Sequence, residues 1–516
     1  MIRIVAPALL TVASAALILS GCQKDVTDAL EKLAPLNPIS QDLGADTWKT
    51  AVLASPSEVS LPAPTSVTSP EYLAEINQTR SLRNNLSPEQ RAAIDHWGSG
   101  SILRWNQLLR ELVAKHNLAP APNADNTYTF PDANNPFQYP EFPFANPPYA
   151  ARAYAYASVA HYDALVAAWH YKKTYNRPAA PTVDPSLNSL LPASDLPGYP
   201  CEDAVIAGAS FVILRALFPA DTTYINEKFA EAAYFKQWAG AAVNSDIVAG
   251  INLGKAVAQK VMARAKSDGM KNAVGNAAIW DSLEQSAVSR NEIAWESLDS
   301  PQRPPMLPVF GLVKPWLFQS ALISSIRPAA PPSTKSAAFQ DELNAVREMC
   351  DPKDRNKMRI VHFWADGTGT YTPPGHWNYL CSDLVYAASM SEVRAARTFA
   401  LLGMSLMDAA ITCWDTKYFY MYPRPCQIDT KIKTLTGLPN FPAYTSGHST
   451  FSWAAATILG HLFPESRDNL NNMAEEASIS RVYGGIHYPI DCSAGKQSGI
   501  QIGNFAIARA VNDGGE

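Results

Sequence analysis

The chain has 516 residues, of which 47% are apolar and 17% charged, with a formal net charge of −5 and a pI near 6. That length exceeds one ordinary core, and the apolar content excludes a disordered chain. The slight acidity argues against a nucleic-acid partner, so any anion chemistry needs a local cluster of cations.

In chain order, the opening MIRIVAPALLTVASAALILSGC carries one arginine, a short apolar run and then small residues, which predicts a secretory signal over 1–22. Its ending, Leu19-Ser20-Gly21-Cys22, resembles a bacterial lipobox. The resemblance implies cleavage before Cys22, lipidation of that cysteine, and an exported lipoprotein tethered to a membrane. Gln23 stands where an aspartate would signal inner-membrane retention, so the periplasmic side of the outer membrane or the cell surface is the expected location. No later segment reads as a membrane span. Residues 23–70, with ASPSEVSLPAPTSVTSP, read as a flexible stalk.

Helical spacing begins near Pro88 and is clear in SILRWNQLLRELVAKHNLA. A loop of prolines, asparagines and aromatics covers 119–148. The alanine-rich YAARAYAYASVAHYDALVAAWHYKKTY and segments 203–217, 224–238 and 246–266 complete an N-terminal helical domain, 71–299. Prolines over 300–335 mark a connector. Residues 336–516 then form a C-terminal helical bundle, with helices expected at 337–348, 378–388, 392–420, 447–463, 468–482 and near the terminus. Strand patterns are nearly absent, so the expected fold is mostly α: two helical bundles joined by long proline-rich loops. After Cys22, six cysteines remain and none forms a CxxC pair. Scattered thiols are expected for most of them, although an oxidising compartment permits disulfides.

Three islands in the last hundred residues carry chemistry. In the first, Lys417 and Arg424 stand two helical turns apart, at a helix end set by Pro423 and Pro425. The second, Thr445-Ser446-Gly447-His448, opens an apolar helix whose free amides and dipole favour an anion. The third, SRVYGGIHYPID, sets Arg481 before a glycine turn, with His487 and Asp491 after it. An imidazole acting as nucleophile or ligand needs one nitrogen free and the other held by an acceptor. Asp491 or a neighbouring carbonyl can serve. Three cations, a hydroxyl, helix-end amides and two histidines are what a tetrahedral oxyanion requires.

The motifs K-x6-RP, SGH and SR-x5-H-x3-D resemble the signature of the type 2 phosphatidic acid phosphatase (PAP2) and vanadium haloperoxidase superfamily. The resemblance implies that Lys417, Arg424, Ser446, Gly447 and Arg481 hold the oxyanion oxygens. It also makes His448 the acid/base and His487 the residue bonded to vanadium or phosphorus. The passage HFWADGTGTYTPPGHWNYL is similar to a haloperoxidase segment whose aspartate pairs with an oxyanion-binding arginine, which predicts that Asp366 braces Arg481.

Two enzymatic outcomes remain open. A haloperoxidase would hold vanadate and oxidise halide with peroxide. A phosphatase would need no cofactor and would cleave phosphate esters through a phosphohistidine on His487. The long region before Lys417 favours the first. A non-catalytic phosphate-binding lipoprotein is disfavoured because no charged or histidine position of the signature is lost. TSGHS is not the GxSxG elbow of a serine hydrolase. The other histidines are expected to be structural, with His376 the strongest exception. The sequence does not specify an oligomeric state.

Overall fold

The computed structural model describes residues 33–129 and 146–516. The expected signal peptide, Cys22, and parts of the stalk and the 119–148 loop lie outside them. None of the described residues forms a strand. The helices that build the core are α1 (Ser101–His116), α2 (Pro147–Tyr175), α3 (Glu202–Leu217), α4 (Thr222–Trp238), α5 (Asn244–Lys266), α6 (Thr372–Ala387), α7 (Glu392–Tyr420), α8 (Gly447–Leu462), α9 (Arg467–Tyr483) and α10 (Pro489–Asn512).

Their starts follow from capping chemistry. The side chains of Asn146, Ser391 and Ser446 accept from amides three residues on and open α2, α7 and α8. Helix α6 starts earlier than the predicted 378, because Pro373 and Pro374 sit in its first turn, where no amide donor is needed.

Helices α2 and α7, one from each expected bundle, lie side by side at the centre. A Cβ on Gly403 of α7 would sit only 2.9 Å from Ala155 Cα of α2, so small residues set their spacing. One apolar cluster extends from Ala45 to Ala510 through both halves. By length and apolarity the region around α7 could cross a membrane, unlike the sequence expectation. Its apolar window is fully buried inside the protein instead.

The connector is fastened to this core. The amides of Trp316 and Leu317 donate to the buried carboxylate of Asp408 on α7, and Arg327 pairs with Asp415. The expectation of a loose stalk fails for residues 33–69. The amides of Ala51, Val52 and Leu53 donate to Asp163 at 2.7–3.0 Å, and Trp48, Leu53 and Leu61 are buried. A stretch poor in helical periodicity can still be fixed by a few apolar anchors and one buried acceptor. All six cysteines of the described residues are free thiols.

Candidate active site

The three islands converge. Lys417, in the last turn of α7, is fully buried and donates to the carbonyls of Pro442 (2.8 Å), Ala443 (2.9 Å) and Thr445. It therefore fixes the segment leading into α8. Burial pushes its pKa down to about 7, while the three carbonyls favour the ammonium form. Arg424 follows the helix end and donates to the carbonyls of Phe441 (2.9 and 3.0 Å) and Ile486 (2.7 Å).

Ser446 caps α8 by accepting from Ser449 N, and its own amide donates to the Asp491 carbonyl at 2.9 Å. That bond ties the second island to the third. Arg481, in the last turn of α9, donates to Ser480 Oγ (2.8 Å) and the Val361 carbonyl (3.1 Å). Among the described residues its Nη1 has no hydrogen-bond partner, which leaves a donor for a ligand. Gly485 makes the turn at φ 71°, and a Cβ there would meet Cys350 Sγ at 2.9 Å. Only glycine fits that position without displacement.

The turn delivers His487. Its Nδ1 lies 2.8 Å from Asp491 Oδ2, and its Nε2 lies 3.0 Å from Arg424 Nη1. A guanidinium can only donate, so Nε2 is the acceptor and the ring proton sits on Nδ1, facing the Asp491 carboxylate. That carboxylate also accepts from Tyr488 N at 3.1 Å. Pro489 starts α10 and places Asp491 in its first turn, where the carboxylate reaches back to His487. Burial, then the charges of Arg424 and Lys417, hold the His487 pKa well below the usual histidine value. Burial raises the Asp491 carboxyl to about 7 and lowers Arg424 and Arg481 to about 10.

A cavity of about 170 Å3 is lined by Asp366, Gly447, His448, Arg481 and His487. Lys417, Arg424, Ser446 and Asp491 do not line it; they hold the residues that do. His448 is hydrogen-bonded to the Trp364 carbonyl, which leaves its buried Nε2 without a partner. Burial and the nearby Arg481 charge push its pKa well down. A Cβ on Gly447 would meet only Phe451, at 3.7 Å, so the glycine preserves space at the cavity wall.

Asp366 is placed in the site, but not as a brace for Arg481. Its carboxylate takes His376 Nδ1 at 3.1 and 3.2 Å and lies 3.9 Å from His448 Nε2. His376 is stacked on Trp364 with ring centroids 4.5 Å apart, which brings it to the carboxylate, while Arg481 bonds the Val361 carbonyl instead. Asp366 acts on Arg481 only through its charge, opposing the effect of burial. Sequence reasoning missed Arg303, a connector residue that also lines the cavity. Its only signal was a lone cation in the proline-rich QRPP.

An oxyanion fits these residues. A free Arg481 donor, an unpartnered buried His448 Nε2 and a glycine-lined wall all face one small cavity. An electron-poor centre at His487 Nε2 would compete with the Arg424 N–H for the imidazole lone pair.

A profile of the PAP2 superfamily matches residues 398–512, which contain all three islands. No curated protein matches the chain by sequence. Among solved structures, a bacterial vanadium-dependent iodoperoxidase is similar at 20% identity and TM-score 0.57, covering 79% of this chain and 96% of that one. A holo-type bacterial vanadium-dependent chloroperoxidase is similar at 10% identity and TM-score 0.50, covering 71% and 91%. Residues 398–512 therefore match the PAP2 superfamily, within a fold that most of the chain shares with the vanadium-dependent haloperoxidase structures.

Proposed function

We propose that the protein is a vanadate-dependent haloperoxidase that oxidises halide with hydrogen peroxide. The observation that carries the proposal is His487 Nε2, unprotonated and oriented by Asp491 beside a cavity that Arg481 and His448 also line. The extent of the fold likeness favours haloperoxidase over phosphatase, because it continues through the helices before the PAP2 match. Bound vanadate would supply a Lewis acid that activates peroxide toward halide.

The chain's own residues do the rest. His487 Nε2 would provide the one covalent attachment, with Asp491 fixing the tautomer. Arg481 and the first amides of α8 would hold oxygens. Lys417 and Arg424 would add positive charge and keep the cradle in shape. His448 Nε2, which lacks a partner, would accept a proton from the incoming peroxide and return it when the oxidised halide leaves.

The competing proposal is phosphoester hydrolysis, with His487 as nucleophile and His448 as acid. Assays with phosphate esters separate the two. Ester hydrolysis that vanadate inhibits competitively, with no halide oxidation, would favour the phosphatase. We also propose attachment through a lipid on Cys22, tested by palmitate labelling that Cys22→Ser abolishes.

A further inference from the structure

The oxyanion cradle leaves one cation of the cavity unassigned. Arg303 reaches the wall from the connector, and its neighbours pin it there. Asn440 Nδ2 donates to the Pro304 carbonyl at 2.6 Å, and the Met306 carbonyl accepts from Trp414 Nε1 at 3.1 Å and from the Tyr418 hydroxyl at 2.7 Å. The Arg303 side chain is only 13% exposed. Among the described residues it pairs with the Asp299 carboxylate, 2.9 Å from Nε and itself 41% exposed. Among the described residues the buried Nε has no hydrogen bond of good geometry, and no side chain or carbonyl takes the two terminal nitrogens, whereas Arg424 and Arg481 both donate to carbonyls. With Asp299 on the Nε side, the two terminal nitrogens are left as donors for a ligand.

The wall beside it is aromatic. Phe441 lines the cavity, and the fully buried Trp414 backs it with ring centroids 4.9 Å apart. Lys417 and Arg424 lie 4.9 and 5.1 Å from the Phe441 ring, so that ring connects the buried cradle to the Arg303 side. The cavity opens outward beyond the oxyanion cradle, so a single ring has its place at the mouth.

We propose that Arg303 selects the organic acceptor of the reaction: a one-ring, electron-rich carboxylate whose ring lies against Phe441 and whose carboxylate takes the planar guanidinium. This rests on the haloperoxidase proposal for its chemistry, although not for its binding. The guanidinium fork matches a carboxylate through two parallel hydrogen bonds, a geometry that a spherical halide cannot use. Hypohalous acid formed in the cavity would meet a ring already held there. The ring C–H bond breaks and a C–halogen bond forms. The released proton joins the hydroxide of the hypohalous acid to give water.

The test is calorimetric titration of the full chain, with vanadate present, by 4-hydroxybenzoate and by phenol. A charge-assisted pair predicts that the acid binds about tenfold more tightly or better than phenol. Arg303→Met should erase that preference, and Asp299→Asn, which frees the guanidinium, should widen it. Equal affinities in the unaltered protein, or a preference that Arg303→Met leaves intact, would overturn the proposal. So would a loss of bromide binding in Arg303→Met with the acid preference unchanged, since Arg303 would then be a halide site. Adding peroxide and bromide separates the two proposals. Arg303-dependent binding without bromination upholds the acid site and removes the haloperoxidase. Bromination of both compounds, with equal affinity for them, does the reverse.

Discussion

At the scale of the residue, the chemistry depends on which nitrogen of His487 carries a proton. Asp491 holds the proton on Nδ1 and Arg424 marks Nε2 as the acceptor. Asp491→Asn should keep the fold but release the tautomer, lowering turnover by about 10–100-fold, as loss of an outer-shell partner typically does. Steady-state kinetics on the purified variant would check this. His487→Ala should abolish turnover and also leave the Asp491 carboxylate buried without its imidazole, at a cost of about 1–3 kcal/mol. The double variant His487→Ala/Asp491→Asn should recover much of that stability while staying inactive. A melting comparison of the single and double variants tests the pairing directly.

The islands were legible because each is short and its residues have few other uses. The Arg424–His487 contact and the Asp366–His376 pair were not, since they join residues that only the fold brings together. His376 stood out by its place in PPGHWN, yet nothing in that string shows that it takes the carboxylate expected for Arg481.

At the scale of the element, helices α8 and α10 hold the site's second and third islands in register. They approach so closely that a Cβ on Gly499 of α10 would lie 2.5 Å from the Thr450 carbonyl of α8. Gly499→Val should therefore destabilise the protein by about 1–3 kcal/mol, and displace His448 relative to His487. Reduced oxyanion affinity together with a lower Tm is the expected result.

Helix α2 contributes a pH dependence. His161 faces Ser210 of α3, with Nε2 2.7 Å from the hydroxyl, and burial lowers its pKa to about 3. Unfolding restores it to about 6.5, so the unfolded chain binds a proton that the native one refuses. The stability is fully present above about pH 6.5 and is lost as pH falls toward 3. Between those values the loss approaches about 1.4 kcal/mol per pH unit. His161→Gln, which keeps a hydrogen-bonding group, should flatten the fall. Thermal melts of both proteins from pH 7 to 4 would show it. Periodicity placed most helices to within a residue or two at their ends. Helix α6 was truncated because prolines normally read as breakers, and only its first-turn position makes them acceptable.

At the scale of the whole molecule, the proline-rich connector looked like a boundary, but the packing of α2 on α7 crosses it. Residues 336–516 produced alone should expose the buried face of α7 and fail to give a cooperative melt, whereas the full chain should show one main transition. The sequence read each part by its local composition. What it could not show is that Asp163, Asp408 and a few tyrosines turn irregular segments into fixed parts of one body. That outer layer also shapes the cavity, through Arg303 and Met306.

The most direct test of the account is titration of vanadate into protein stripped of oxyanions, with peroxide and iodide or bromide present, while following halide oxidation. No activity at the start, a rise with vanadate to a plateau near one per chain, and no rise in His487→Ala are the expected results. Halide oxidation that stays absent at every vanadate concentration, or that proceeds equally without His487, would contradict it.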